Sequence, residues 1–343
     1  MNATNYQRVR LWAGIFSIGA NLGLIWGFYF ASLGLSAWAR ERFDARLILL
    51  LPVAGMLALG LVFDTLVGHA AESALGRTRQ PFGDWLRDWA LAAARVGAAL
   101  WAALLVLGAM RGVSWPTFAL LLLGASAIFA ALTLLLPALL PRSWRAENDE
   151  TRAFAQALRP ELDRVGVPSQ LPILWIESED ETSVNGTIPP LGRPQIWLGS
   201  NVARELSPRE TALLVARDWW FRRTGKGTLE TLICVLWLAV GFLGARTLLP
   251  ARDFVQASLA GAATMTTWCF VALLVWPRLN ALWSRAADRH LVSLSSREEV
   301  AQLLTHVQTL NASDTTLGSA KAGVFHPIPD LTRRLDHLSD PKP

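Results

Sequence analysis

The chain is 343 residues long, 52% hydrophobic and 17% charged, with a formal net charge of +5. Soluble domains carry about 25% charged residues, so this balance argues against an ordinary cytosolic enzyme and also against intrinsic disorder. Lysine occurs only at Lys226, Lys321 and Lys342, so the positive charge is almost wholly arginine. Those arginines flank apolar runs instead of forming a basic stripe interleaved with aromatics, which points to membrane topology and away from nucleic acid.

The apolar runs come in chain order at residues 11–39, 47–68, 89–110, 112–141, 231–249 and 254–276. Each approaches or exceeds the roughly 20 residues of helix that cross a hydrocarbon core, which predicts six spans. The 16 tryptophans fit, because indole rings collect at bilayer interfaces. The first run has a small-x-small look at Ala37 to Ala39, as at a signal-peptide cleavage site, but it is about twice the usual h-region and reads better as an uncleaved anchor. Two runs carry a charge, Asp64 in the second and Arg95 in the third. These mark either a polar chamber between helices or an interfacial Asp and a snorkelling Arg. Cys234 and Cys269 lie inside apolar stretches, against a disulfide framework or a Cys-based zinc site.

Six spans place both termini on one side. There the flanking cations are Arg8, Arg10, Arg77, Arg79, Arg87, Arg142, Arg145, Arg222, Arg223, Lys226, Arg278 and Arg285, against Arg40, Arg42, Arg46, Arg111, Arg246 and Arg252 opposite, twelve to six. The positive-inside rule then predicts cytoplasmic termini, with residues 142–230 on the same side, in a membrane read as the bacterial inner membrane.

Outside the spans, Ala153, Phe154, Ala157, Leu158, Leu162 and Val165 recur at helical spacing, predicting an amphipathic helix over 147–165. Residues 172–176, 183–188 and 195–198 read as strands, the last two joined by a Pro/Gly-rich turn. Ser207-Pro208-Arg209-Glu210 is a helix start, with a Ser cap, Pro at the first position and a Glu that returns a hydrogen bond. The helix it opens is expected to run to about Arg223, ending in the cluster Trp219-Trp220-Phe221.

Several local motifs occur in a telling order. They are the GRTRQPFGDWLRDW stretch at 76–89, Asn185-Gly186 on the second strand, Leu206-Ser207-Pro208-Arg209-Glu210, Ala287-Asp288, and His326-Pro327 followed by Arg333. Together they resemble the integral-membrane zinc metallopeptidases that include the CAAX prenyl proteases and the HtpX-type heat-shock proteases. The resemblance implies an α-helical polytopic membrane protein with a cytoplasmic gluzincin-like α/β metallopeptidase domain. A four-span membrane domain would occupy 1–141, and the peptidase-like domain 142–343, interrupted by spans at about 231–249 and 254–276.

A peptidase of that kind needs H-E-x-x-H on one helix, two His to bind zinc and a Glu to activate the metal-bound water, with a further Glu as third ligand. Counting from the Ser207 cap, the resemblance puts Arg217 at the first His, Asp218 at the Glu and Phe221 at the second His. Ser284, four residues before Asp288, takes the third-ligand position. A guanidinium offers no lone pair to a metal, a benzene ring has no donor, and a hydroxyl is a poor ligand. No shift of register helps, because residues 231–297 contain no Glu and none of the five His form an i, i+4 pair. No cofactor is therefore expected. In the family the Asp of the Ala-Asp pair supports a zinc-binding His, so here Arg217 either replaces His and metal together, pairing with Asp288 and with Asp218 as a second candidate, or is simply the polar face of a surface helix.

Substrate-side positions implied by the resemblance are Asn185, which either pairs with an extended peptide or is a turn Asn before Gly, and His326 with Arg333, for whose role Arg334 competes. Trp219 and Trp220 are either an aromatic plug in the cleft or interfacial anchors. The expected function is a pseudopeptidase that binds a peptide or membrane protein without hydrolysing it. The alternatives are an active membrane metalloendopeptidase with a non-standard site, for which zinc would be required, and a lipid- or solute-binding membrane protein. The bilayer is an expected partner, and nucleic acid is not.

Overall fold

The structure is a computed structural model that describes residues 3–34, 44–74, 76, 78, 80–124, 147–177, 184, 186–189, 192–311 and 331–339. The chain divides into two compact units, one of Met1–Ala125 with Val235–Leu273, the other of Ser126–Cys234 with Leu274–Pro343.

Among the described residues, five helices are long and apolar enough to cross a membrane, at Leu11–Gly34, Arg46–Ala74, Phe82–Gly112, Lys226–Thr247 and Phe254–Leu294. They correspond to five of the six expected spans. The described part of the remaining run is a shorter apolar helix, Trp115–Gly124, and its continuation through 141 lies outside the described residues. Side chains such as Phe16, Leu120 and Leu236 are exposed along these helices. That is costly in water but favourable against lipid.

The first unit is held by a core of Ile25, Tyr29, Leu49, Val53, Leu104, Leu107, Ala260 and Ala263. Its backbones approach closely where side chains are small. A Cβ on Gly108 would lie 2.3 Å from Ser258 Oγ, so no larger residue fits there. Two arginines cap carbonyls crosswise. Arg111 donates to the Ala245 carbonyl (3.0 Å), and Arg246 donates to those of Met110 (3.0 Å) and Val113 (2.6 Å). Each guanidinium thereby satisfies carbonyls at the C-terminal end of the other's helix, where the helix dipole is negative.

The fates of the two intramembrane charges differ. Asp64 accepts a hydrogen bond from Trp89 Nε1 at 2.9 Å and sits where the second span widens into the π-helical turn Thr65–Ala71. Arg95 is exposed.

In the second unit, the amphipathic helix forms at Asp149–Arg164 with a capping box between Asn148 and Thr151. It ends at Gly166, whose φ of +73° places it in the left-handed region. Val167 N–H then reaches back to the Leu162 carbonyl at 2.9 Å, a glycine-terminated helix end. The three expected strands form β1 (Ile173–Ile176), β2 (Gly186–Thr187) and β3 (Ile196–Gly199). Their order is β1-β3-β2, with β1 parallel and β2 antiparallel to β3. β2 is therefore an edge strand, and both its residues are exposed. Leu158, Leu162, Ile196, Leu213, Leu291, Val300 and Leu303 pack the core.

The last long helix runs unbroken over 41 residues through Pro277 to Leu294, well past the expected span end at 276. The polar composition after 276 ends the apolar pattern, not the helix. This extension carries Ser284 and Asp288 into the second unit.

Candidate functional site

The site is assembled from four elements of the second unit. The first is the Pro208–Arg223 helix, started by the capping box that the sequence predicts: Glu210 N–H donates to Ser207 Oγ (3.2 Å) and Ser207 N–H to Glu210 Oε2 (2.8 Å). Two ionic contacts fix this helix at its start. Arg209 donates to both oxygens of Glu299, at 2.7 and 3.3 Å, and Glu210 Oε1 lies 2.7 Å from His306 Nδ1. The hydrogen bond and charge of Arg209 hold the Glu299 carboxyl below its ordinary value. Burial works to raise the Glu210 carboxyl, but hydrogen bonds from His306 and Ser207 outweigh it and also leave that group lowered.

With its N-terminus pinned, the helix presents Arg217 and Phe221 one turn apart, on one face. The end of the Phe254–Leu294 helix presents Ser284 and Asp288 at the same spacing, both buried. The Leu331–Ser339 helix adds Arg334. These residues converge. Arg217 Nη2 donates to Ser284 Oγ at 3.2 Å, and the Arg217 guanidinium carbon lies 5.9 Å from the centre of the Phe221 ring. Arg217 Nε stands 3.9 Å from Asp288 Oδ1 but makes no hydrogen bond.

The expected Arg217–Asp288 contact is thus present at the outer limit of an ion pair, while the close pairing belongs to another residue. Arg334 grips Asp288 with two parallel hydrogen bonds, Nε to Oδ2 at 2.7 Å and Nη2 to Oδ1 at 2.6 Å. Two guanidiniums therefore share one buried carboxylate. Burial and the charge of Arg334 lower the Arg217 pKa against the pull of Asp288 and Asp218.

Asp218 faces a different partner. Its carboxylate accepts hydrogen bonds from the Thr187 hydroxyl and the Ile188 backbone N–H, and burial raises its pKa against those bonds and the charge of Arg217. One turn on, Arg222 donates to the carbonyls of Pro189 and Gly192. The two side chains tie the helix to the β2 edge and the segment that follows it. Asn185 and His326 lie outside the described residues, as does the side chain of Arg333. The edge strand beside Asn185 is in place, while the Leu331–Ser339 helix contributes Arg334 to the site.

The residues present do not fit a zinc ion. The positions that the resemblance implies for metal ligands hold a cation, a ring and a hydroxyl, and the carboxylate beside them, Asp288, is engaged by Arg334. Among the described residues no three His, Cys, Asp or Glu side chains form a group able to hold a metal. Helical spacing and local motifs place Arg217, Phe221, Ser284 and Asp288 from the sequence. Arg334 enters there only as a rival of Arg333 for a substrate contact and Thr187 not at all, because their roles depend on contacts between residues distant in sequence.

Among solved structures, the fold is similar to the crystal structure of Ste24p from S. mikatae, with a TM-score of 0.68 over 98% of this chain and 88% of that one, at 13% sequence identity. No protein-family model matches the sequence, and no curated protein matches it. The chain is a mostly helical protein of the Ste24p-like fold with five candidate membrane spans.

Proposed function

We propose that this chain is a membrane-embedded pseudopeptidase of the CAAX protease and HtpX-like kind, which binds a peptide or a membrane protein without hydrolysing it. The Ste24p-like fold supports the scaffold. The observation that carries the reading is the cluster in which Arg217 meets Ser284 at 3.2 Å and Arg334 clamps Asp288. A guanidinium cannot donate a lone pair to a metal or accept a proton from water at neutral pH. Asp218 keeps a carboxylate at the general-base position, but its hydrogen bonds to Thr187 and Ile188 commit it to holding β2.

What remains is a binding surface. Among the described residues no strand pairs with the outer edge of β2, and an extended segment would add there as a further strand, with Asn185 beside it and His326 and Arg333 as further contacts. The excess of flanking cations on the side of the termini supports a cytoplasmic placement of this surface at the bacterial inner membrane.

Mass spectrometry of unstructured and membrane-derived peptides incubated with the full chain in nanodiscs tests the proposal. Peptides that co-purify intact, with or without chelator, are the expected result. Fragments whose formation stops when a chelator is added would overturn it in favour of an active metalloendopeptidase.

A further inference from the structure

A cavity of about 380 Å³ lies apart from the Arg217 cluster, lined by Val165, Gly166, Trp219, Trp220, Arg223, Thr224, His290 and Leu294. Its walls are of two kinds. Val165, Leu294 and the indole rings are apolar, whereas Arg223 and His290 bring polar nitrogen. Trp220 is central. Its ring stacks on His290 with centroids 5.8 Å apart and planes 22° apart, and Lys226 Nζ sits 4.0 Å from its centroid. Arg223 lies within electrostatic range of His290, and Arg289 within range of Lys226.

Among the described residues, no carboxylate pairs with Arg223, Lys226 or Arg289. Asp218, on the same helix, is bound to Thr187 and Ile188. Arg223 and His290 on the wall, Lys226 over Trp220 and Arg289 near Lys226 thus gather beside an aromatic recess with no anion paired to the three fixed cations among the described residues, an arrangement that costs self-repulsion unless a ligand supplies the charge. The position says which ligand. Lys226 is the first residue of a candidate span, whereas the cavity's other wall, at His290 and Leu294, belongs to the polar end of the Phe254–Leu294 helix beyond its apolar run. Leu229 and Leu232, just inside the first of these, are exposed. Tryptophan and cations together at the start of an apolar helix face the headgroup layer.

We propose that this cavity binds the phosphate headgroup of an anionic phospholipid, with Arg223 and Lys226 on the phosphate, Trp219 and Trp220 against the glycerol backbone, and the acyl chains running along Leu229 and Leu232. The site is independent of the peptide-binding surface.

Native mass spectrometry of the full chain, released from nanodiscs of phosphatidylcholine with and without phosphatidylglycerol, tests the proposal. Phosphatidylglycerol should be retained preferentially. The Arg223→Gln/Lys226→Gln variant, whose side chains lie outside the packed core, should retain it roughly 30-fold more weakly, while its thermal unfolding in pure phosphatidylcholine matches that of the parent. Trp220→Leu should weaken retention with the cations intact. Equal retention of the two lipids, or retention unaffected by the double variant, would overturn the proposal. Displacement of the lipid by millimolar inorganic phosphate would overturn its lipid source and point to a soluble phosphate ligand.

Discussion

Asp288 is the residue on which the site turns. It is 2% exposed, and a buried carboxylate is tolerable only when its charge is matched and its lone pairs are occupied. Arg334 does both, with two short parallel bonds, whereas Arg217 adds a more distant charge at 3.9 Å and spends its hydrogen bond on Ser284. The unequal geometry predicts unequal costs. Arg334→Met should destabilise the protein by about 3 kcal/mol, because it strands a buried anion. Arg217→Met should cost less than half as much, since it also removes repulsion between two guanidiniums. Thermal unfolding of the detergent-solubilised full chain reads both, and an equal loss from the two variants would contradict the assignment. From the sequence, Arg217 stands out because a helix cap fixes its register. Arg334 is legible only as a rival of Arg333 for a substrate contact, because the segment bearing it is related to Asp288 only through the folded chain.

At the scale of elements, the Pro208–Arg223 helix is a beam fixed at its start by capping and ion pairs and tied along its length to the β2 edge. Ser207→Ala should cost about 1 kcal/mol through loss of the cap. The Glu210 and Glu299 carboxyls are both held below their ordinary values in the folded protein. Their contribution is therefore fully present above the unfolded-state value near 4.5 and is lost as pH falls through the lowered folded-state values. Melting temperature should fall below about pH 4.5, and Arg209→Ala should flatten that fall. Asp218→Ala should speed hydrogen exchange at the Ile188 amide about fivefold by removing one hydrogen bond, whereas Asp218→Asn keeps an acceptor and should change it less. Much at this scale was legible beforehand. The cap at Ser207 and the three strands follow from local chemistry, and the spans from apolar run length. The continuation of the last long helix to Leu294 was not, since loss of apolar pattern and loss of helix are different events.

For the whole molecule, a Ste24p-like fold at 13% identity means that the positions of apolar residues and caps, more than particular side chains, specify the architecture. Here two guanidiniums and a carboxylate link the Pro208–Arg223, Phe254–Leu294 and Leu331–Ser339 helices. The most direct test is the zinc content of the purified full chain, equilibrated with zinc, desalted and then assayed by elemental analysis. Far less than one ion per chain is expected, with a melting temperature that a chelator leaves unchanged. One tightly held zinc per chain, with a melting temperature that drops when it is stripped, would contradict it.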